Sequence, residues 1–178
     1  KLARILQIVC SHKTGIVYCA TRKNVERVAE ALTEAGIACI AYHGGLADEQ
    51  RTRVQERFMG RVCPVAVATN AFGMGVDRAD LRFVVHHDIP GSIEAYYQEA
   101  GRAGRDGEPA RCELLFNYAD IRTQEFFIEG ANPTRSVILD LYATLERLCR
   151  KGPVTMPIAE IAGHVTGAGN EMAVGAGL

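Results

Sequence analysis

The sequence lacks any apolar run approaching the roughly 18 residues of a membrane-spanning helix. It also lacks a charge excess: the formal net charge is −1, so no overall positive field draws the chain to nucleic acid or to an anionic membrane. Any nucleic-acid binding must therefore come from a local arrangement. The 178 residues, 48% apolar and 23% charged, exclude a disordered chain and are enough for one domain, with or without a small appendage.

Lysine is scarce, and its placement excludes a P-loop. Only four of the 20 basic residues are lysines. None follows a glycine, as the G-x-x-x-x-G-K-[ST] motif requires. The segment Asp48–Arg51 superficially resembles an acidic Walker box, but it opens an amphipathic helix, so we interpret it as a solvated helix start. No G-x-G-x-x-G fingerprint follows the first predicted strand, which disfavours a Rossmann dehydrogenase.

The six cysteines contain no C-x-x-C pair, so no zinc knuckle is predicted. Several lie in apolar runs and fit small buried side chains. This usage favours a reducing compartment, and no signal peptide is present, so we expect a cytoplasmic protein, associated with the nucleoid if it is bacterial. The glycine- and alanine-rich end of the sequence leads us to expect a fragment of a longer protein.

Short apolar runs alternate with helical patterns over the first 130 residues. The pattern predicts strands at 15–19, 37–42, 62–68, 83–86 and 111–116, and helices at 22–35, 47–59, 92–99 and about 119–129. Strict alternation predicts an α/β fold, with a parallel β-sheet flanked by helices on both faces. In such sheets ligands bind at the carboxyl ends of the strands, here around Thr21, His43, Thr69 and Asp88.

The pattern changes after residue 130. Ile138, Leu141, Leu145 and Leu148 mark one face of a helix, and a second short helix is predicted at 157–165. We therefore expect two domains, an α/β domain at 1–130 and a helical extension at 131–178. Residues 136 to 165 are compatible with the start of a winged helix.

The densest cluster of candidate functional residues lies at 96–107, with the sequence Tyr-Tyr-Gln-Glu-Ala-Gly-Arg-Ala-Gly-Arg-Asp-Gly. Arg102 and Arg105 are three residues apart, so on a helical turn they project from one side. The glycines around them allow another surface to approach closely. This suits a polyanion arriving from outside, but a structural arginine pair bound to Glu99 and Asp106 fits the spacing equally well.

A second cluster lies at 65–77. A predicted buried strand ends in Thr69 and Asn70, and a loop punctuated by glycines then leads to Asp77. A carboxylate there can accept a hydrogen bond from a sugar hydroxyl. The alternative is a turn aspartate that caps its own backbone, which is common in loops.

Together, four segments resemble the second RecA-like motor lobe of superfamily-two helicases, and among these the RecQ-type DNA helicases. Gly15–Arg22 resembles motif IV, Tyr42–Leu46 the block that follows it, and Ala68–Asp77 motif V. Gln98–Gly107 resembles the RecQ form of motif VI throughout. The resemblance extends from about Thr14 to Phe127.

This resemblance implies the second lobe of an ATP-dependent 3′-to-5′ DNA helicase. ATP and magnesium would be bound mainly by a first RecA-like lobe of the same parent chain, so the isolated chain would be inactive. The resemblance further implies that Arg105 is an arginine finger and Arg102 its partner. It places Gln98, Gly75 and Asp77 at the nucleotide.

The same resemblance implies single-stranded or duplex DNA as a partner, bound at the other edge of the lobe. The expected DNA contacts are Thr21, Arg22, His43, Gly44, Thr69 and Asn70. The free amides of a helix that starts after Thr21 can bind a phosphate, and such contacts hold a strand without reading its sequence. Thr21 as a helix cap and His43 as a turn or packing residue are the alternatives.

The resemblance ends before the four-cysteine zinc module that usually follows this lobe in RecQ enzymes. Cys149 is the only cysteine after the fifth predicted strand, so neither zinc nor any metal ligand is predicted. The alternative function is a non-catalytic nucleic-acid-binding or protein-docking module that kept the fold. The arginine pair together with Asp77 favours the motor.

Overall fold

The computed structural model describes residues 1–73, 76–150, 152–166 and 171–178. Within them, helices and strands follow one another in the order α1 (Leu2–His12), β1 (Gly15–Tyr18), α2 (Arg22–Glu34), β2 (Cys39–Tyr42), α3 (Asp48–Met59), β3 (Val65–Ala68), β4 (Phe83–His86), α4 (Ile93–Ala100), β5 (Arg111–Leu114), α5 (Ala119–Ala131), α6 (Arg135–Cys149), α7 (Ile158–Ala162) and α8 (Glu171–Gly177).

The five strands form one parallel sheet in the order β2-β3-β1-β4-β5. Their register aligns the last residues of all five strands, Tyr42, Ala68, Tyr18, His86 and Leu114, in one row. The residues that follow these strands therefore share one edge, which we call the carboxyl edge. The predicted α/β fold with a parallel sheet is confirmed.

Both faces of the sheet are covered, because successive side chains along each strand point to opposite faces. On one face Val17 packs in a cluster with residues of α1 and α2, such as Ile8 and Val28. On the other face Ile16 packs in a cluster that contains Phe58 of α3. This two-sided burial explains why every residue of β1, β3 and β4 is buried and why these strands are predominantly apolar.

Helix α1 was not predicted from the sequence. Lys1 precedes it without a side-chain cap, so the usual start signal is missing. The helical spacing was nevertheless present, since Ile5, Ile8 and Val9 are the side chains that it buries. Strands β2 and β3 begin later than predicted, at Cys39 and Val65.

The chain forms two compact units, Lys1–Asp120 and Ile121–Leu178. In the second unit α6, α7 and α8 enclose a small core of Leu141, Ile161, Val165 and Val174. The assignment of 1–130 and 131–178 to two domains stays a prediction, and its boundary falls near the end of α5. Among the described residues, none of the helices has the length and apolarity that crossing a membrane demands.

Candidate functional site

The carboxyl edge brings several of the expected DNA contacts together. The amide of Thr69 donates to the carbonyl of Tyr42 at 3.1 Å, and the amide of Cys19 donates to Ala68 at 2.8 Å. These bonds extend the strand ladder by one residue, so Thr69 lies between the ends of β2 and β1, beside His43. Thr69 is buried, with 8% of its surface exposed, whereas Asn70 is exposed.

Arg22 lies against the turn that follows β2. The side chain of Arg22 passes so close to Gly45 that a Cβ atom there would lie 2.9 Å from its guanidinium, and one at Gly44 would lie 4.0 Å away. Arg22 is exposed, so its charge faces solvent beside this turn. Thr21 caps α2, its hydroxyl accepting from the amide of Asn24 at 3.2 Å.

His43 has the turn contacts that the sequence left open as an alternative. Its ring is buried, its Nδ1 accepts from the amide of Gly45 at 3.1 Å, and its Nε2 lies 3.5 Å from a carboxylate oxygen of Glu26. An accepting Nδ1 places the proton of the neutral ring on Nε2. The side chain of His43 therefore holds the turn around Gly44.

The two candidate arginines both contact the loop between β3 and β4. Arg105 donates from Nη1 to Asp77 Oδ1 at 2.8 Å and from Nε to the carbonyl of Gly101 at 3.2 Å. Arg102 donates from Nη1 to the carbonyl of Val76 at 3.0 Å. The side chains of Arg105 and Asp77 are 41% and 81% exposed, so this ion pair is open to solvent.

The alternative in which Glu99 and Asp106 bind these arginines is wrong. Asp106 pairs instead with Arg82, and Glu99 pairs with His86 at 2.8 Å. Gln98 is exposed on α4. Gly75, expected at the nucleotide, lies outside the described residues.

The sequence pattern did not indicate the buried cluster that Tyr18, His86 and Glu99 form. His86 and Glu99 are 1% and 12% exposed, and the Tyr18 hydroxyl donates to the carbonyl of Phe72 at 3.1 Å. Burial raises the pKa of Tyr18 to about 12 although the nearby Arg102 guanidinium opposes the shift, so the phenol stays protonated. The available signal was a polar residue at the end of an apolar strand, as at Tyr18 and His86.

A second cluster surrounds Asp88, which the sequence had placed at the carboxyl edge without indicating its partners. Its Oδ2 accepts from the amide of Ala20 and from the side chain of Asn24, each at 2.9 Å, and its Oδ1 contacts His87 Nδ1 at 2.7 Å. Burial by itself raises the pKa of Asp88, but the bonds from His87, Ala20 and Asn24 outweigh it and lower that pKa to about 2. Asp88 therefore joins the end of β4 to the start of α2.

Donor atoms of Cys19, His87 and Asp88 lie within 4.8 Å of one another, a spacing that a metal ion could bridge. The Asp88 carboxylate already accepts three hydrogen bonds, and the ammonium group of Lys1 lies 3.6 Å from its Oδ1. Arg27 also lies 3.4 Å from the His87 ring. Because the Lys1 ammonium and the Arg27 guanidinium already lie beside these donor atoms, we interpret the cluster as a set of structural hydrogen bonds and not as a metal site.

Asp88 gives a prediction for stability against pH. Its pKa is depressed, so its contribution is present above the unfolded pKa of about 4 and is lost as pH falls toward 2. Asp88→Asn is expected to lower the free energy of unfolding by about 2 kcal/mol at pH 7, with a smaller difference near pH 2. Urea unfolding at several pH values measures this difference in the free energy of unfolding. The control is Glu30→Gln, which changes an exposed residue of α2. A pH-independent difference would contradict the assignment.

The architecture is a parallel sheet with helices on both faces, with polar residues at the strand ends and Arg105 exposed, in a sequence without a P-loop. These features define a RecA-like lobe. Residues 1–107 match the family model described as Helicase conserved C-terminal domain. The chain belongs to this family, and it is a helicase C-terminal domain of RecQ type.

Relatives and solved structures agree with this assignment. An ATP-dependent DNA helicase RecQ of Bacillus subtilis is 53% identical over 118 residues, which are 66% of this chain and 20% of the relative. A RecQ-like DNA helicase of Caenorhabditis elegans is 49% identical over 70% of this chain and 13% of the relative. The chain thus spans a fifth or less of these relatives. The crystal structure of a DEAD box protein from Methanococcus jannaschii superposes with a TM-score of 0.60, at 26% identity over 73% of this chain and 36% of that one.

Proposed function

We propose that this chain is the second motor lobe of an ATP-dependent 3′-to-5′ DNA helicase of RecQ type. The observation that carries the proposal is the exposed Arg105–Asp77 pair on a lobe without a P-loop. An arginine so placed can act only on a nucleotide that another lobe binds. That first RecA-like lobe holds ATP and magnesium through its Walker residues and closes against this one.

Arg105 is the arginine finger of the proposal. Exposed ion pairs contribute only about 0.2–1 kcal/mol, so Arg105 can leave Asp77 when a γ-phosphate arrives. Its planar fork can then engage two phosphate oxygens and stabilise the charge that spreads over them during transfer. The released Asp77 carboxylate becomes free to accept a hydrogen bond from the ribose.

Arg102 acts as the partner of Arg105 by holding the backbone at Val76, next to Asp77. Gln98, exposed on α4 before the two arginines, contributes an amide to the same nucleotide. Gly75 is proposed as a further nucleotide-site residue on the grounds of the motif alone.

Single-stranded DNA lies along the carboxyl edge. Arg22 and Asn70 offer exposed polar groups, and the amides at the start of α2 offer donors to a phosphate. Thr21, His43, Gly44 and Thr69 contribute through the backbone geometry that their contacts maintain. Such contacts bind the phosphodiester backbone independently of sequence, which suits translocation.

By itself the chain neither hydrolyses ATP nor unwinds DNA, and it acts together with the first lobe in the cytoplasm, on the nucleoid if the source is bacterial. We propose further that residues 131–178 are a helical extension, that residues 136 to 165 begin a winged helix, and that no zinc is bound. The second candidate, a non-catalytic docking module, is less well supported because Arg105 stays exposed and exchangeable.

The test uses the complete polypeptide, which we propose also carries a P-loop lobe. We expect single-stranded DNA to stimulate its ATP hydrolysis, and we expect it to displace a strand from a duplex with a 3′ tail but not from one with a 5′ tail. The 178-residue chain alone should show neither activity. A complete polypeptide that binds DNA without any ATP hydrolysis would support the docking module instead.

A further inference from the structure

Tyr18, His86 and Glu99 form one buried contact between the sheet and α4. Tyr18 and His86 are register partners at the ends of β1 and β4, and their rings stack with centroids 5.5 Å apart and planes inclined by 21°. His86 Nε2 lies 2.8 Å from Glu99 Oε2, in the last turn of α4. This bond ties α4 directly to the end of β4.

Packing by itself does not account for the imidazole of His86. Its Nδ1 is buried and, within the described part of the chain, has no hydrogen-bond partner. An apolar ring of similar size would fill the same place without leaving a polar atom unpaired. The group that distinguishes His86 from such a ring is the Nε2 atom bound to Glu99.

Glu99 stands at the entrance to the turn that carries the two arginines, residues 101–107. The amide of Arg102 donates to the carbonyl of Glu99 at 3.3 Å, so a displaced Glu99 displaces this turn. The Nε of Arg102 is itself buried without a partner among the described residues. The position of Arg102 is therefore set by its bond to Val76 and by the backbone that Glu99 holds.

The same cluster reaches the carboxyl edge. The amide of His87, the next residue after His86, donates to the carbonyl of Tyr18 at 2.8 Å. The Tyr18 hydroxyl in turn holds the carbonyl of Phe72, in the loop that begins at Thr69. A continuous set of hydrogen bonds and ring contacts thus connects the proposed DNA contacts to the arginine turn.

We propose that His86 and Glu99 are positioning residues that make ATP hydrolysis responsive to bound DNA. This inference rests on the proposed function. When DNA shifts the ends of β1 and β4, the His86–Glu99 hydrogen bond carries the shift to α4 and sets the distance of Arg105 from the nucleotide. The pair contacts neither DNA nor ATP.

The first experiment measures ATP hydrolysis by the complete polypeptide, without substitution and in three variants. His86→Phe keeps the ring stack and removes the donor, His86→Gln restores a nitrogen near the Nε2 position, and His12→Phe on α1 is the matched control. For His86→Phe we expect the DNA-stimulated kcat to fall by about 10-fold to 100-fold, as small misplacements of catalytic groups do. The DNA-free rate, the KM for ATP and the Kd for single-stranded DNA should stay within about twofold.

His86→Gln should recover most of the stimulated rate, and His12→Phe should match the unsubstituted protein. Wild-type stimulation in His86→Phe would overturn the proposal. Equal losses in His86→Phe and His86→Gln, with the DNA-free rate falling in parallel, would show a merely structural role and would also overturn it.

The second experiment uses the 178-residue chain and does not depend on the proposed function. Amide NMR spectra of residues 101–105 and the Nε–H signal of Arg102 should shift in His86→Phe and return toward the original positions in His86→Gln. Unchanged signals in His86→Phe would overturn the positioning role. If the unsubstituted complete polypeptide shows no DNA-stimulated hydrolysis while these shifts occur, the motor proposal fails and the positioning of the arginine turn stands.

Discussion

Arg105→Ala in the complete polypeptide is expected to lower the DNA-stimulated rate of ATP hydrolysis by about 10³-fold or more, the range that arginine fingers supply. The side chain reaches a nucleotide only in the closed state, and it contributes mainly when charge develops on the transferred phosphoryl group. The KM for ATP should therefore change much less than kcat. A DNA-stimulated ATPase assay over a range of ATP concentrations measures both.

Two further variants sharpen this test. Arg105→Lys keeps the charge but loses the planar fork, so it should recover only a small part of the lost rate. Arg53→Ala, which removes an exposed arginine from α3, is the matched control and should leave hydrolysis unchanged. An active polypeptide that is indifferent to Arg105→Ala would keep the helicase proposal and remove Arg105 from the catalytic site.

Gly15→Ala is expected to have the largest effect on folding. Gly15 begins the central strand β1, opposite Phe83 on β4, and an added Cβ would overlap the Phe83 carbonyl oxygen and lie 2.5 Å from Cγ of its ring. Because the overlapping atoms include the backbone of Phe83 in the middle of the sheet, they can shift only at a large cost in free energy. We expect a loss of about 3 kcal/mol or more in the free energy of unfolding of the α/β unit.

Hydrogen exchange of the sheet amides measures this loss in the 178-residue chain, because it reports on the α/β unit separately from the helical one. Gly175→Ala is the matched control: its added Cβ would lie 3.8 Å from Ile158, an ordinary contact, and alanine favours the helix. Protection of the β1 and β4 amides that is equal in Gly15→Ala and the unsubstituted chain would contradict the expected overlap.

The spacing of motifs in the sequence identifies candidate site residues but not their partners in the fold. The motif spacing singled out Arg102, Arg105 and Asp77, and the structure joins Arg105 to Asp77 although they are 28 positions apart. The alternative in which Asp106 and Glu99 bind the two arginines failed. Asp106 pairs with Arg82, just before β4, and Glu99 pairs with His86, the last residue of β4. Such partners are chosen by strand order and helix placement, which short-range spacing does not encode.

The sequence by itself determined the α/β class, the lack of a nucleotide lysine and the motifs of a RecQ-type lobe. These follow from local properties: apolar periodicity, glycine placement and the scarcity of lysine. Only the tertiary structure decided that His43 holds a turn, that Asp88 braces α2 and that Glu99 binds His86. The contacts of Asp88 and Glu99 join residues on different elements, so they exist only once the strands have taken their order and register in the sheet, whereas the contact of His43 depends on the geometry of its own turn.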